Sequence, residues 1–171
     1  MALAQENFRW RYDDGSETTA SWIAAQDTDI TLRPRGILRL RFRLLDTGGT
    51  TLGKGSLFVS RNGGAYERVS TSSNFVRACP SAVLSSEVPT TEQLTGVETG
   101  YVASEVSFDG QTGEVVFAAG NSSDLEYVFR LLGNVRHSDT YDFRVYDNDD
   151  PIGTYTRTPR LSVLKSVFTD W

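Results

Sequence analysis

The stretch Leu38-Arg39-Leu40-Arg41-Phe42-Arg43-Leu44 decides the fold class of this 171-residue chain. Its apolar and arginine side chains alternate strictly, which is the period of a β-strand because successive strand residues point to opposite faces of a sheet. We therefore predict a half-buried antiparallel strand with the apolar side chains inside and the arginines on the outer face. Phe8-Arg9-Trp10-Arg11-Tyr12 alternates in the same way, so its two arginines are also expected to face outward.

Short alternating segments recur along the rest of the chain, and helical periodicity is nearly absent. Two of them, residues 56–61 and 65–69, flank Asn62-Gly63, a pair that favours the tight turn of a β-hairpin. Roughly nine or ten short strands at intervals of about 10 residues are typical of a sandwich or barrel. The sequence thus predicts an all-β protein, an antiparallel β-sandwich of Greek-key or Ig-like type. Its further strands are predicted at residues 101–108, 114–118, 124–132, 140–147 and 159–167.

The length is that of one domain, and we predict a single β-sandwich domain over residues 1–171. Residues 71–100 are rich in Ser, Thr and Glu and are expected to form a long loop or arm. Such an arm would be a contact element in an assembly protein, or it would close one end of an ordinary sandwich. Tyr141 lies at the start of its predicted strand and resembles the tyrosine corner of Greek-key sandwiches, in which the tyrosine hydroxyl binds a backbone group a few residues upstream. The alternative is an ordinary tyrosine that points into the core.

The composition excludes several classes of protein. One Cys and one His are too few for an intrachain disulfide or a structural zinc site. No base is placed to activate a serine or cysteine, so we predict that the protein is not an enzyme. The net charge of -5 argues against direct binding to nucleic acid, and no apolar run is long enough to cross a membrane. The first residues lack the basic and apolar parts of a secretory signal, so no such signal is predicted.

The distribution of charge suggests contacts with a partner. Residues 1–85 hold 11 basic and 8 acidic side chains, whereas residues 86–171 hold 6 basic and 14 acidic ones. This asymmetry is either an ordinary solvated surface or the mark of a subunit that meets charged neighbours. The outward arginines are candidate partner contacts, and pairing with the chain's own acids is the alternative. At the C terminus, two aromatic side chains are candidate anchors or else cover the domain's own core. These candidate partner-contact residues are Arg9, Arg11, Arg39, Arg41, Arg43, Phe168 and Trp171.

Two acidic turns are candidate calcium sites, and no other cofactor is predicted. Asp13-Asp14-Gly15-Ser16-Glu17 and Asp147-Asn148-Asp149-Asp150 each crowd carboxylates into a few residues. Calcium accepts six to eight oxygen ligands from such loops, although neither turn has the EF-hand spacing. The alternative is turn chemistry, because Asp, Asn and Gly tolerate left-handed backbone. The candidate ligands are Asp13, Asp14, Glu17, Asp147, Asp149 and Asp150.

Several stretches together resemble a known module. Phe8-Arg-Trp-Arg-Tyr-Asp-Asp-Gly-Ser-Glu-Thr-Thr-Ala-Ser-Trp22, followed by Ala24-Ala-Gln-Asp-Thr-Asp-Ile30, resembles a module of tailed-bacteriophage structural proteins. Related modules occur in large bacterial surface proteins. Three later pieces follow in the expected order, namely Ser60-Arg-Asn-Gly-Gly-Ala-Tyr66, Gln93-Leu-Thr-Gly96 and Tyr141-Asp-Phe-Arg-Val145.

The resemblance implies a non-enzymatic β-sandwich, most often a capsid decoration (cement) protein on the outer surface of a virion. The expected partners are the major capsid protein or other virion subunits, and a homo-oligomer, with a trimer favoured, is expected. The alternative is a carbohydrate- or host-surface-binding module of a head fibre or tail. Such a module would need exposed aromatic rings that stack on sugars, for which Tyr101, Tyr127 and Tyr155 are candidates.

Overall fold

The computed structural model describes residues 2–33 and 36–164. Across these ranges the chain forms strands and no helix, which confirms the predicted all-β sandwich. No helix that could cross a membrane is therefore present in the described residues. The strands are β1 (Leu3–Tyr12), β2 (Ile30–Leu32), β3 (Ile37–Asp46), β4 (Thr51–Leu52), β5 (Gly55–Arg61), β6 (Tyr66–Arg68), β7 (Val76–Ala78), β8 (Gly100–Tyr101), β9 (Val106–Ser107), β10 (Val115–Val116), β11 (Asn121–Leu131), β12 (Thr140–Asp147), β13 (Asp150–Pro151), β14 (Thr154–Tyr155) and β15 (Arg160–Val163).

The first sheet, sheet A, is built around β3. Its strand order is β14-β1-β3-β11-β7, with β8 and β9 pairing with β11. Both long neighbours of β3 are antiparallel to it, and Leu40 lies opposite Trp10 on β1 and Tyr127 on β11. The alternating stretch that predicted the fold is thus the central strand of the larger sheet.

The second sheet, sheet B, has the order β2-β15-β12-β5-β6, with β13 pairing with β12. Its longest pair, β5 and β12, is antiparallel. Strands β4 and β10 form a small separate pair. The pairs β1·β14, β11·β8, β11·β9 and β15·β2 are parallel, so the prediction of a wholly antiparallel sandwich is corrected to a mixed one. The predicted number of strands was also too low, because strands of two or three residues are too short to show a periodicity.

Aromatic rings join the two sheets in the core. Trp10 and Phe129 of sheet A both contact Phe143 of sheet B, with ring centroids 5.5 Å and 5.2 Å away. The three side chains are fully buried. Large buried rings contribute strongly to core stability because they remove 150–250 Å² each from water. This packing uses the apolar side of the alternation in β1, β11 and β12.

The hairpin predicted from Asn62-Gly63 is confirmed. Strands β5 and β6 are antiparallel neighbours, and both turn residues have positive φ, 52° for Asn62 and 74° for Gly63. Glycine and asparagine adopt this left-handed backbone with little strain, which explains their choice here. The tyrosine-corner interpretation of Tyr141 is not met, because its hydroxyl binds the carboxylate of Asp139 at 3.2 Å rather than backbone.

The long connection from residue 71 to residue 100 packs on the chain's own sheet A. It includes β7, and the part that follows lies over the face of sheet A that points away from the aromatic core. Thr90 Oγ1 donates a hydrogen bond to the Asp124 carbonyl of β11 at 2.6 Å, and Leu94 is buried. The connection is therefore a cover over the outer face of sheet A.

Candidate functional site

Four arginines, which we call the arginine network, lie on the outer face of sheet A. They are Arg11, Arg39, Arg41 and Arg43, and their exposed fractions are 0%, 0%, 0% and 1%. The alternation correctly placed them on the side opposite the aromatic core. The solvent exposure expected for them is wrong, because the 13–20 loop and the 71–100 connection cover this side of the sheet.

Glu126 of β11 is the central acid of the arginine network. Its carboxylate accepts a hydrogen bond from Arg41 Nε at 2.6 Å, and it lies 3.3 Å from both Arg11 Nη1 and Arg39 Nη1. The register of sheet A places Arg39 directly opposite Arg11, an arrangement of like charges that is destabilising by itself. Glu126 lies opposite Arg41 on the other side of β3 and supplies the compensating charge.

Arg43 is held by acids from two other parts of the chain. Its Nε donates to Asp124 at 2.9 Å, and its Nη1 donates to Glu98 at 2.5 Å, with Glu92 at 3.5 Å. Burial alone would lower the pKa of Arg43, but the contact with Asp124 and the nearby glutamates raise it. A hydrogen bond shared with Glu98 raises the pKa of Glu92. These contacts attach the 71–100 connection to the sheet.

The Asp13–Ala20 loop closes the other end of the arginine network. Arg41 donates to the Glu17 carboxylate at 2.5 Å, and Arg39 lies 3.2 Å from Asp13. Backbone carbonyl groups accept further hydrogen bonds: Gly15 from Arg39 at 2.6 Å, and Glu17 and Ala20 from Arg11 at 2.6 Å and 3.0 Å. Arg11 Nε and Arg43 Nη2 are buried without an acceptor among the described residues. Burial opposes the charge of Arg41, but the neighbouring carboxylates raise its pKa.

The partner contacts predicted from the arginines are therefore corrected. Buried side chains that bond within their own chain are not available to a neighbour, so pairing with the chain's own acids is what Arg11, Arg39, Arg41 and Arg43 do. Arg9 differs, since it is only half-buried, lies over the Trp22 ring at 4.5 Å and stays a candidate contact. Phe168 and Trp171 lie outside the described residues.

The structure does not gather the predicted calcium ligands. Asp13 and Glu17 are paired with arginines, Asp14 accepts the Ser21 amide at 2.7 Å, and Asp147 accepts the Gly53 amide at 2.8 Å. Across residues 2–33 and 36–164 no group of three or more His, Cys, Asp or Glu side chains could hold a metal ion.

Turn chemistry accounts for the second acidic cluster instead. Asn148 and Asp149 have positive φ values of 46° and 72°, and Asp149 pairs with Arg68 at 3.3 Å while Asp150 is exposed. Arginine pairing and turn chemistry thus account for both turns, which corrects the expectation that their carboxylates come together as one set of ligands.

A second arrangement, which the sequence reasoning largely missed, lies on the outer face of sheet B. We call it the tyrosine–arginine face, and it consists of Phe58, Tyr66, Arg144 and Tyr146 of sheet B together with Tyr155, which lies on β14 of sheet A. Phe58 and Tyr146 stack with centroids 4.0 Å apart, and the Arg144 guanidinium lies over Tyr66 at 4.6 Å and over Tyr155 at 4.3 Å. The sequence could have indicated this face through β12, because Arg144 and Tyr146 are two residues apart and therefore lie on the same, outward side of the alternating strand.

The three tyrosines considered for sugar stacking differ in their burial and contacts. Tyr127 is fully buried, with its hydroxyl donating to the Gly55 carbonyl at 2.8 Å, so it cannot stack on a sugar. Tyr101 is half-buried and donates to Thr90. Tyr155 belongs to the tyrosine–arginine face, and burial raises the pKa of its hydroxyl to about 12.

The described residues thus form two polar arrangements of different character. The arginine network is internal and fixes the position of two loops on sheet A. The tyrosine–arginine face is half-exposed and combines the residue types that most often anchor protein interfaces. No protein-family model and no curated protein matches this chain.

Proposed function

We propose that this chain is a structural protein of a tailed-bacteriophage particle, a capsid decoration protein that binds the outside of the head and stabilises it. The observation that supports the proposal is the role of the Asp13–Ala20 run, which carries the most specific part of the resemblance. Its carboxylates and carbonyl groups hold buried arginines, so the motif maintains the shape of the domain. This is the role expected of a conformationally fixed, non-enzymatic building block.

A decoration protein acts mechanically, by adding contacts across capsomer boundaries that oppose the internal pressure of packed DNA. Such a part must resist deformation, which well-connected buried ionic groups and a continuous core favour. The exposed apolar side chains Val97 and Val116, 88% and 61% accessible, and the half-buried Arg9 are candidate contacts with the shell. The partners in this proposal are the major capsid protein or other virion subunits, on the outer surface of the head.

Quantitative analysis of particles tests this function. Purified virions should contain the chain in a fixed stoichiometric ratio to the major capsid protein, distributed over the whole head in an electron-microscopy map. Heads that lack the chain should release DNA at a lower temperature, and adding the purified protein back should restore the difference. Finding the chain only on the tail or at a single vertex would overturn the proposal.

A second candidate function is binding of host carbohydrate by a head fibre or tail. The half-buried Tyr146 ring of the tyrosine–arginine face favours it, because sugar rings pack on aromatic faces. A glycan array tests it directly, with Tyr146→Ala expected to abolish binding. Tyr12→Ala is the matched control, because Tyr12 is exposed on β1, away from this face. An array without any bound glycan would argue against this candidate and leave the first unaffected.

A further inference from the structure

Arg144 is a cation for which no described residue supplies an anionic partner. Its guanidinium lies between the rings of Tyr66 and Tyr155, and no ion pair or hydrogen bond joins it to any residue in the described part of the chain. Its Nε is buried and lacks an acceptor. Hydrogen bonds between a guanidinium and a carboxylate are strong, so a carboxylate supplied by another molecule would bind the accessible part of this half-buried cation favourably.

A surface of opposite charge lies elsewhere on the same molecule. Residues 78–129 contain no Lys or Arg and eight acids, of which four neutralise the arginine network. Three of the others, Glu87, Glu105 and Asp109, line one crevice of about 270 Å³, which we call the acidic crevice. No ion pair joins any of these three to another described residue, and the Glu105 and Asp109 carboxylates accept only neutral donors such as the Gly113 and Gln111 amides.

We propose that the tyrosine–arginine face is a self-association surface, on which Arg144 of one copy binds the acidic crevice of a second copy. The two surfaces are complementary in charge, because each lacks, among the described residues of its own chain, the opposite charge that the other provides. Both surfaces also border β5: Phe58 belongs to the first, and the Leu57 amide donates to Gly110, beside Asp109, at 2.8 Å. A second copy can make this contact twice across a two-fold axis or once per subunit around a ring.

The chemistry of the face fits a protein partner better than a small anion. Tyrosine and arginine dominate interface hot spots because they bury a large area while keeping a polar end. The half-buried Tyr146 ring stacks on the buried Phe58 ring and so adds apolar area close to Arg144. Self-association on this face is a property of the isolated chain and does not require attachment to a virion.

Sedimentation velocity of the purified protein at low salt tests the inference. At about 100 µM, well above the range of micromolar association, the wild type should be oligomeric, and about 0.5 M NaCl should dissociate it by screening. Arg144→Glu should raise the dissociation constant about tenfold or more. Arg136→Glu makes the same change of charge at an exposed arginine in the β11–β12 loop and should leave association unchanged.

A charge-exchange experiment identifies the surfaces independently. Glu87→Lys combined with Asp109→Lys should also prevent self-association, and mixing this variant with Arg144→Glu should restore it at 1:1 stoichiometry. If circular dichroism shows that the Arg144→Glu variant is unfolded, the self-association of the acidic-crevice variant alone tests the proposal. A monomeric wild type at low salt, normal association of the variants, or no association in the mixture would each overturn the proposal.

Discussion

The substitution Glu126→Gln is the sharpest test of the arginine network. The Glu126 carboxylate lies 2.6 Å from Arg41 Nε and 3.3 Å from both Arg11 Nη1 and Arg39 Nη1, and all four side chains are fully buried. Glutamine has nearly the same shape, but it removes the negative charge and places an amide donor among guanidinium donors. The arginines cannot escape by losing a proton, since arginine stays charged in proteins.

The expected cost follows from the burial of the network. Removing one partner of a buried ion pair destabilises a protein by about 3–5 kcal/mol because it leaves an uncompensated buried charge. Native domains are stable by only about 5–15 kcal/mol, so this is a large fraction of the total. For a domain of this size about 2–4 °C is lost per kcal/mol, which predicts a fall in Tm of roughly 6–20 °C.

Urea unfolding followed by circular dichroism measures the effect, and Asp142→Asn is the matched control. Asp142 forms a two-point ion pair with Arg160 at 2.7 Å and 2.8 Å, but Arg160 is 51% exposed. Exposed pairs contribute about 0–1 kcal/mol, so the same carboxylate-to-amide change should have little effect there. If Glu126→Gln costs no more than Asp142→Asn, the network does not stabilise the fold and our reasoning is refuted.

Three further outcomes are expected. Burial raises the pKa of Asp139, but hydrogen bonds, first that of Asn62, outweigh it and lower this pKa from 3.8 to about 2. The contribution of Asp139 to the free energy of unfolding should therefore be complete above about pH 4 and lost as the pH falls through 2. Urea titrations of the Asp139→Asn variant at a series of pH values should lack this loss. Gly110 has φ +88° and closely approaches backbone, so Gly110→Ala should cost about 2 kcal/mol or more in thermal melts, whereas Gly133→Ala, where a Cβ meets no atom within 4 Å, should be nearly neutral. Burial raises the pKa of the Cys79 thiol, so a disulfide reagent should label it slowly in the native protein and rapidly in urea; equal rates would contradict the structure.

The long strands were predictable because each alternates over enough residues to show a period of two. The predicted strand at 140–147 has the same bounds as β12, and the alternating stretch 38–44 lies inside β3. The same signal was present at Tyr127, which alternates with Glu126 and shares a face with Leu125 and Phe129, so its burial in the core could have been read from β11. The short parallel strands β8 and β9 could not be predicted from the sequence, because two residues show no periodicity and their partners on β11 are distant in sequence.

The candidate site was less predictable than the fold. Glu126 and Asp124 of β11, which neutralise Arg41 and Arg43, are 85 and 81 residues away in sequence. No local sequence pattern indicates this pairing. Alternation tells which side of a sheet a residue occupies, but not what covers that side. The tyrosine–arginine face was unpredictable for the same reason, since its members come from β5, β6 and β12 of sheet B and from β14 of sheet A, which meet only in the folded chain.

The sequence by itself determined that this is an all-β protein, where its central strand runs, where its sharpest hairpin turns, and that one cysteine allows no intrachain disulfide. Those properties are local or compositional. Only the tertiary structure decided that the arginines of that central strand are buried among the chain's own acids and that the acidic turns serve as turns and arginine partners. It alone also decided that no described residue pairs with Arg144 as an anion. The reason is physical: the free energy of a charge depends on burial and on neighbours, and both are set by which distant segments cover each face of a sheet.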